Sequence, residues 1–228
     1  MQILRVGLTG AGGTGKGTLL NGFMANYGAF RGFAPVRSPV QFVKGFVSPY
    51  SVAYDAIVKE DKMLLQYGGL FGEMNAERVL DDCRASCIAE RSVLDFLPYF
   101  KQAFPPNESI GQVYTVEFYE KLIQTFLREM PYDLLVYVPI EFEPTQEDRQ
   151  KNYWKERDPE KRKKTDDCIL DQLAWVRDNT DITIISVSGT QDERVRQLVD
   201  VVESMQLGLS GGSAAPETLP MAGNRLEV

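Results

Sequence analysis

The sequence predicts an α/β domain: a doubly wound, five-stranded parallel sheet with a glycine-rich loop. Three observations lead there. Short apolar runs of strand type alternate along the chain with longer segments of helical spacing. The first run ends in a glycine-rich turn that opens a helix. The chain has 228 residues, 43% of them hydrophobic, enough for one such domain with a sizeable core and too little for a second.

Each element has its own signal. Ile3 to Thr9 is largely apolar and ends in glycines, the pattern of a parallel strand buried on both faces. Lys16 to Tyr27 carries Leu19, Leu20, Phe23 and Met24 at helical spacing. Phe33 to Val36 is a short strand that stops at Arg37, and Val40 to Leu80 reads as helices broken near Ser48-Pro49. Ala85 to Ala89 is a compact apolar strand. Val93 to Phe104 is helical with a kink expected at Pro98, and ends at Pro105-Pro106. An amphipathic helix, Val116 to Met130, precedes a strand from Leu134 to Val138 bounded by Pro131 and Pro139. Ile182 to Val187 is the last strand. Thr190 then opens a helix, with Glu193 completing a capping box and Val195, Leu198, Val199 and Val202 forming its apolar face. The domain spans 1–206, and the small and polar residues of 207–228 form a flexible tail.

Composition removes several kinds of chemistry. There is no histidine, which excludes Ser-His-Asp and Cys-His catalysis and histidine metal sites. Cys83, Cys87 and Cys168 show no C-x-x-C spacing, so they are expected as reduced thiols rather than zinc ligands or a redox pair. The net charge of −7 argues against a protein that coats nucleic acid. No apolar run reaches the length of a membrane span, and the opening residues read directly as a strand, so the expectation is a cytoplasmic protein with no membrane partner.

The strongest motif is Gly10-Ala11-Gly12-Gly13-Thr14-Gly15-Lys16-Gly17-Thr18. It fits the phosphate-binding rule G-x-x-x-x-G-K-[ST] with one glycine inserted before the threonine. Gly10, Gly12, Gly13 and Gly15, with Thr14 and Gly17, allow backbone N–H groups to curl around a polyphosphate, and the helix N-terminus points its positive end at the same anions. Lys16 is placed to bridge the outer phosphates, and Thr18 to offer a hydroxyl to Mg²⁺. The cofactors expected are therefore ATP and Mg²⁺.

The Gly15-Lys16-Gly17-Thr18 ending resembles adenylate, thymidylate and related nucleotide kinases. Over roughly residues 3 to 205 the order of elements is similar to the P-loop nucleoside and nucleotide kinase superfamily. Its specific motifs here are the P-loop and Glu90-Arg91-Ser92, which looks like the E-R-S or D-R-S element of deoxynucleoside and thymidylate kinases. Glu90 then helps hold the metal, and Arg91 stabilises charge on the moving phosphoryl group. Gln66 resembles the glutamine that recognises the acceptor base in deoxynucleoside kinases. The superfamily carries an arginine-bearing lid after the fourth strand, which the resemblance places here at about 141–165. Arg149, in the basic stretch 149–164, is the preferred lid arginine, and Asp158-Pro159 opens the second of two lid helices. Phe42 is a candidate wall of the acceptor pocket, and Ser188-Gly189-Thr190 occupies the loop that touches adenine in similar kinases. The resemblance also leans to a homodimer.

Deoxynucleoside kinases carry a glutamate at the end of the second strand as base for the acceptor hydroxyl. Here that stretch has no carboxylate and has Arg37. A monophosphate acceptor is already ionised and needs cations rather than a base. Arg37 thus points to a deoxynucleoside monophosphate kinase. The competing readings are a deoxynucleoside or ribosylnicotinamide-type kinase, with Asp55 or Glu73 as the carboxylate, and a kinase acting on a DNA base or end. Outside this class stands a nucleotide-sensing regulator.

Overall fold

The computed structural model describes residues 2–39, 59–104, 115–142 and 158–208, with the side chains of 59–61 excepted. In chain order its regular elements are β1 (Arg5–Thr9), α1 (Lys16–Asn26), β2 (Ala34–Val36), α2 (Lys59–Asp82), β3 (Cys87–Ala89), α3 (Phe96–Ala103), α4 (Val116–Glu129), β4 (Leu134–Tyr137), α5 (Pro159–Asn179), β5 (Thr183–Ser186) and α6 (Gln191–Gln206). Short 3₁₀ turns at Gly28–Arg31 and Val93–Asp95 follow α1 and precede α3. The five strands form one all-parallel sheet in the order β2-β3-β1-β4-β5. The expected α/β architecture is therefore present, with β1 at its centre.

Alternation along β1 and β4 divides the core. Leu4, Val6 and Leu8, with Leu134 and Val136, pack against Leu19, Leu20 and Phe23 of α1 and Leu198 and Val202 of α6. Leu135 and Tyr137 face the other layer, where Phe96, Phe100, Tyr119, Ile123, Ile169 and Leu173 meet. On that second face β1 presents Arg5, Gly7 and Thr9 in place of apolar side chains. A Cβ at Gly7 would stand 3.0 Å from Leu135 and Tyr132 and 3.1 Å from Ser92, so glycine fits the tightest point of the column. Below it Arg5 bonds Glu77 at 2.7 Å, and above it Thr9 bonds Asp95 at 2.6 Å.

Glu77 also accepts from the Tyr132 hydroxyl at 2.6 Å. Burial pushes its carboxyl up to about 7, against the pull of Tyr132 and Arg5. The folded state then holds a proton that the unfolded chain has released, so this contribution to stability is complete below about pH 4.5 and fades as pH rises toward 7. The urea midpoint of the wild type is expected to fall between pH 5 and 8, and a Glu77→Gln variant to lose most of that slope. A Glu77→Gln variant with the wild-type slope would contradict this assignment.

Helix boundaries follow recognisable chemistry. Thr190 and Glu193 form the expected capping box of α6. Asp158 caps α5 by accepting from Glu160 N at 2.9 Å and Lys161 N at 3.5 Å, with Pro159 at the first helical position. The kink expected at Pro98 is absent. The 3₁₀ turn ends at Asp95 and α3 starts at Phe96, so Pro98 lies in a first turn whose N–H groups have no intrahelical partner to lose. Among the described residues no helix is long and apolar enough to cross a membrane.

Candidate active site

β1 and β3 are neighbours, and the loops that leave their carboxyl ends go to opposite sides of the sheet. Parallel sheets place ligands at such a reversal. The loop after β1 is Gly10 to Gly15, and the loop after β3 is Glu90 to Ser92. Gly15 stands at the N-cap of α1 with φ +94°, and Gly10 has φ +148° with Val138 O where a Cβ would lie. Both positions require glycine.

Cations fix the orientation of this loop. Lys16 Nζ donates to Gly10 O and, at 3.0 Å, to Ala11 O. Arg162 of α5 donates to Gly12 O at 3.0 Å and to Gly13 O at 3.3 Å, and also reaches Phe142 O at 3.0 Å. Arg194 of α6 donates to Thr14 O at 2.9 Å. Every carbonyl from Gly10 to Thr14 thus accepts from a cation: Gly10 O and Ala11 O from Lys16 at the centre of the loop, and Gly12 O, Gly13 O and Thr14 O from the arginines of α5 and α6. These bonds fix the peptide planes of the loop, the kind of ordered backbone that can cradle an anion.

Lys16 is 7% exposed and lies 3.1 Å from Asp95 Oδ2, an ion pair without a directed hydrogen bond. The other carboxylate oxygen, Asp95 Oδ1, accepts from Thr9 Oγ1 at 2.6 Å and Gly10 N at 3.1 Å. Burial lowers the Lys16 pKa, Asp95 opposes that shift, and Arg91 adds to it. The Arg91 guanidinium stands over the Tyr99 ring at 5.4 Å. Its burial disfavours the charge, but Tyr99, Asp95 and Glu90 outweigh that and its pKa is raised. The Tyr99 hydroxyl would lie 3.1 Å from a Cβ at Gly12, so it borders the loop.

Glu90 sits against the start of α1. A Cβ at Gly17 would stand 2.9 Å from its Oε1. Gly17 occupies the position where the phosphate-loop rule has its hydroxyl, so here a carboxylate from β3 fills that space. Thr18, one residue on and about 100° further around the helix, instead lines a cleft of about 140 Å³ with Phe142, Gly189, Gln191 and Arg194. Thr18 and Glu90 therefore do not face one another. Glu90 is the group placed at the mouth of the loop.

Arg37, just after β2, is half-exposed, donates to Asn21 Oδ1 at 2.5 Å and lies 3.9 Å from Glu90. Gln66 is buried on α2, and its backbone carbonyl accepts from the Tyr119 hydroxyl at 3.0 Å. Phe42 and Arg149 lie outside the described residues, as do Asp55 and residues 143–157 of the lid. Of the basic lid stretch, Lys163 pairs with Asp167 at 2.8 Å on an exposed face, whereas Arg162 is buried against the loop. Sequence reasoning counted Arg162 among the lid cations without singling it out. Asp95 ends the stretch that resembles the E-R-S element but has no role attached to it, and Arg194 belongs to no motif. For Asp95 the signal was present: one acid in the otherwise apolar run Val93-Leu94-Asp95-Phe96-Leu97.

No protein-family model and no curated protein sequence matches the chain. Solved structures do match its fold. NadR in complex with NAD and AMP-PNP aligns over 93% of this chain with a TM-score of 0.59 and 16% identity. The alignment covers 52% of NadR, so the chain spans about half the length of that protein. Deoxyadenosine kinase from M. mycoides, with dCMP and dCDP products, aligns over 88% of this chain and 100% of its own, with a TM-score of 0.55 and 13% identity. Thymidylate kinase from Candida albicans aligns over 90% and 93% respectively, with a TM-score of 0.53 and 15% identity. At these identities the likeness to NadR, deoxyadenosine kinase and thymidylate kinase is one of fold.

Proposed function

We propose that the protein transfers the terminal phosphoryl group of ATP to a nucleotide, and that the acceptor is a deoxynucleoside monophosphate. The observation that carries this is a loop in which every carbonyl from Gly10 to Thr14 is fixed by a lysine or arginine, with Lys16 buried at its centre and Glu90 and Arg91 at the adjacent strand end. Phosphoryl transfer needs positioning and charge stabilisation more than covalent help. Lys16 bridges the outer phosphates of the donor, and Arg91 meets charge on the moving group. Arg37 holds the acceptor phosphate, Gln66 faces its base, and Arg149 closes from the lid.

The site suits Mg²⁺ held mainly by the phosphates. Among the described residues no cluster of acidic groups forms a protein cage, and Mg²⁺ is commonly bound by one or two carboxylates plus substrate phosphates. Glu90 beside Gly17 is the carboxylate available for that, and the ion would supply neutralisation of charge between the phosphates. The cleft beside Thr18, with Gly189, Gln191 and Arg194, takes the donor base.

A second acceptor class is favoured by one observation. Asp95, Glu90 and Glu73 make the surroundings of Lys16 and Arg91 rich in carboxyl groups, which suits a neutral hydroxyl acceptor better than a second anion. A rate screen with Mg²⁺ and ATP against ribo- and deoxynucleosides and their monophosphates separates the two. Turnover with a monophosphate is expected, and Arg37→Ala is expected to raise its KM about 10- to 100-fold, the loss of one charge-assisted hydrogen bond. Turnover with nucleosides alone would remove Arg37 from the acceptor site. ATP hydrolysis that ignores every nucleoside and nucleotide would favour the regulator, and turnover only with DNA the polymer acceptor.

A further inference from the structure

α2 carries two carboxyl groups one turn apart on its inward face, and only one of them is satisfied. Glu77 is fully buried, bonded to Arg5 and to Tyr132. Glu73 is also fully buried, yet neither of its oxygens has a hydrogen-bond partner among the described residues. A polar group buried without a partner costs stability, and a fold that meets every need of Glu77 could have carried leucine at Glu73. Gln66 stands two turns earlier on the same helix and is buried as well.

The charged groups that act on Glu73 are Glu77 on its own helix and, from the opposing segment, Arg91, Asp95 and Glu90. Three of these four are acidic. Burial and then Glu77 push the Glu73 carboxyl well above the usual range, which favours the protonated form with its one donor and one acceptor. Such a neutral group suits a neutral hydrogen-bonding partner, and the acidic groups around it disfavour a phosphate there. The segment that holds Glu90, Arg91 and Asp95 also borders Lys16.

We propose that Glu73 is a specificity residue of the acceptor site, contacting an uncharged hydroxyl or amine of the acceptor molecule on the α2 side of Arg91. This rests on the reading of the site as an ATP-dependent phosphotransferase. Phosphate then goes to Arg91 and Arg37, and the neutral part of the acceptor lies between Gln66 and Glu73. The hydrogen-bonding group comes either from the sugar or from the base.

The test compares the wild type with Glu73→Gln and Glu73→Leu. Acceptor and ATP KM values are measured with the best acceptor from the screen, with its 2′- and 3′-hydroxyl variants and with its base analogues. Urea midpoints are measured on the same proteins. Glu73→Leu is expected to be at least as stable as the wild type, because it removes an unsatisfied buried group. Its acceptor KM is expected to rise about tenfold or more, with the KM for ATP unchanged. Glu73→Gln, which keeps a donor and an acceptor, is expected to lie between. Loss of discrimination between sugar variants assigns the contact to the sugar, and loss between base analogues assigns it to the base. An unchanged acceptor KM in a protein that turns over normally, or a Glu73→Leu protein that is markedly less stable, overturns the role of Glu73 alone. A wild type that transfers to no acceptor overturns the phosphotransferase reading and this one with it.

Discussion

A Lys16→Met variant will fold and will lose phosphoryl transfer by a factor of about 10²–10³ or more, the scale seen when one fixed donor to developing charge is removed. Lys16 is the cation held at the centre of the loop, between Gly10 O, Ala11 O and Asp95. Methionine keeps its length and loses its charge. The carboxylate left behind retains Thr9 Oγ1 and Gly10 N as donors, and Arg91 acts on it as an opposite charge. Folding should therefore survive with a modest loss. Initial rates at saturating acceptor, with urea midpoints alongside, test this. A wild-type rate would remove Lys16 from the chemistry. A lost rate together with a lost fold would be read through the ATP-induced rise in melting temperature, which the variant should lack and the wild type should show.

How much of this was legible beforehand depended on whether the inward face of an element was apolar. Leu134–Tyr137 is buried on both faces and every residue in it is apolar or aromatic, so it was plain in the sequence. α5 was visible only through its cap. Its buried positions include Arg162, Thr165 and Gln172 beside Ile169, Leu173 and Val176, so the apolar period is broken by the side chains that serve the site. α2 has the same property, with Gln66, Glu73 and Glu77 buried while Leu64, Phe71 and Val79 are exposed. Patterning arguments assume the reverse.

The loop itself was readable because its function is local. Backbone N–H groups, a lysine and a helix start all fall within nine consecutive residues, Gly10 to Thr18. What holds that loop was not readable. Arg162 reaches Gly12 across 150 residues and Arg194 reaches Thr14 across 180. Arg194 also bonds Glu141 at 2.6 Å and stacks on Phe142, so it ties the end of β4 to the loop. In the sequence it is one more charge in the first turn of α6. The inserted glycine also changes which side chain stands at the start of the helix. The motif assigned the metal hydroxyl to Thr18, but a one-residue shift on a helix turns a side chain to another face. The space beside Gly17 went to Glu90.

Asp95→Ala should be the most destabilising single change in the site, by about 3–5 kcal/mol, the scale for breaking a buried ion pair from one side. The asymmetry with Lys16→Met has a definite cause. Without Asp95, Lys16 remains buried with Arg91 as a like charge, and Thr9 Oγ1 and Gly10 N lose their acceptor. Without Lys16, the remaining pair is attractive. The penalty should also depend on pH. Burial already lowers the Lys16 pKa, and removal of Asp95 lowers it further. A lysine whose folded pKa lies below its unfolded value destabilises the fold at low pH, and stability recovers as pH rises through the folded pKa. In Asp95→Ala that recovery begins at a lower pH than in the wild type. The gap between the two urea midpoints should therefore narrow as pH rises through the alkaline range. An Asp95→Asn variant, which keeps an acceptor for Thr9 and loses the charge, should retain the pH dependence with a smaller penalty at neutral pH. A gap that stays constant with pH would mean that Asp95 holds the loop by its hydrogen bonds to Thr9 and Gly10 alone, with Lys16 uncharged in the folded protein.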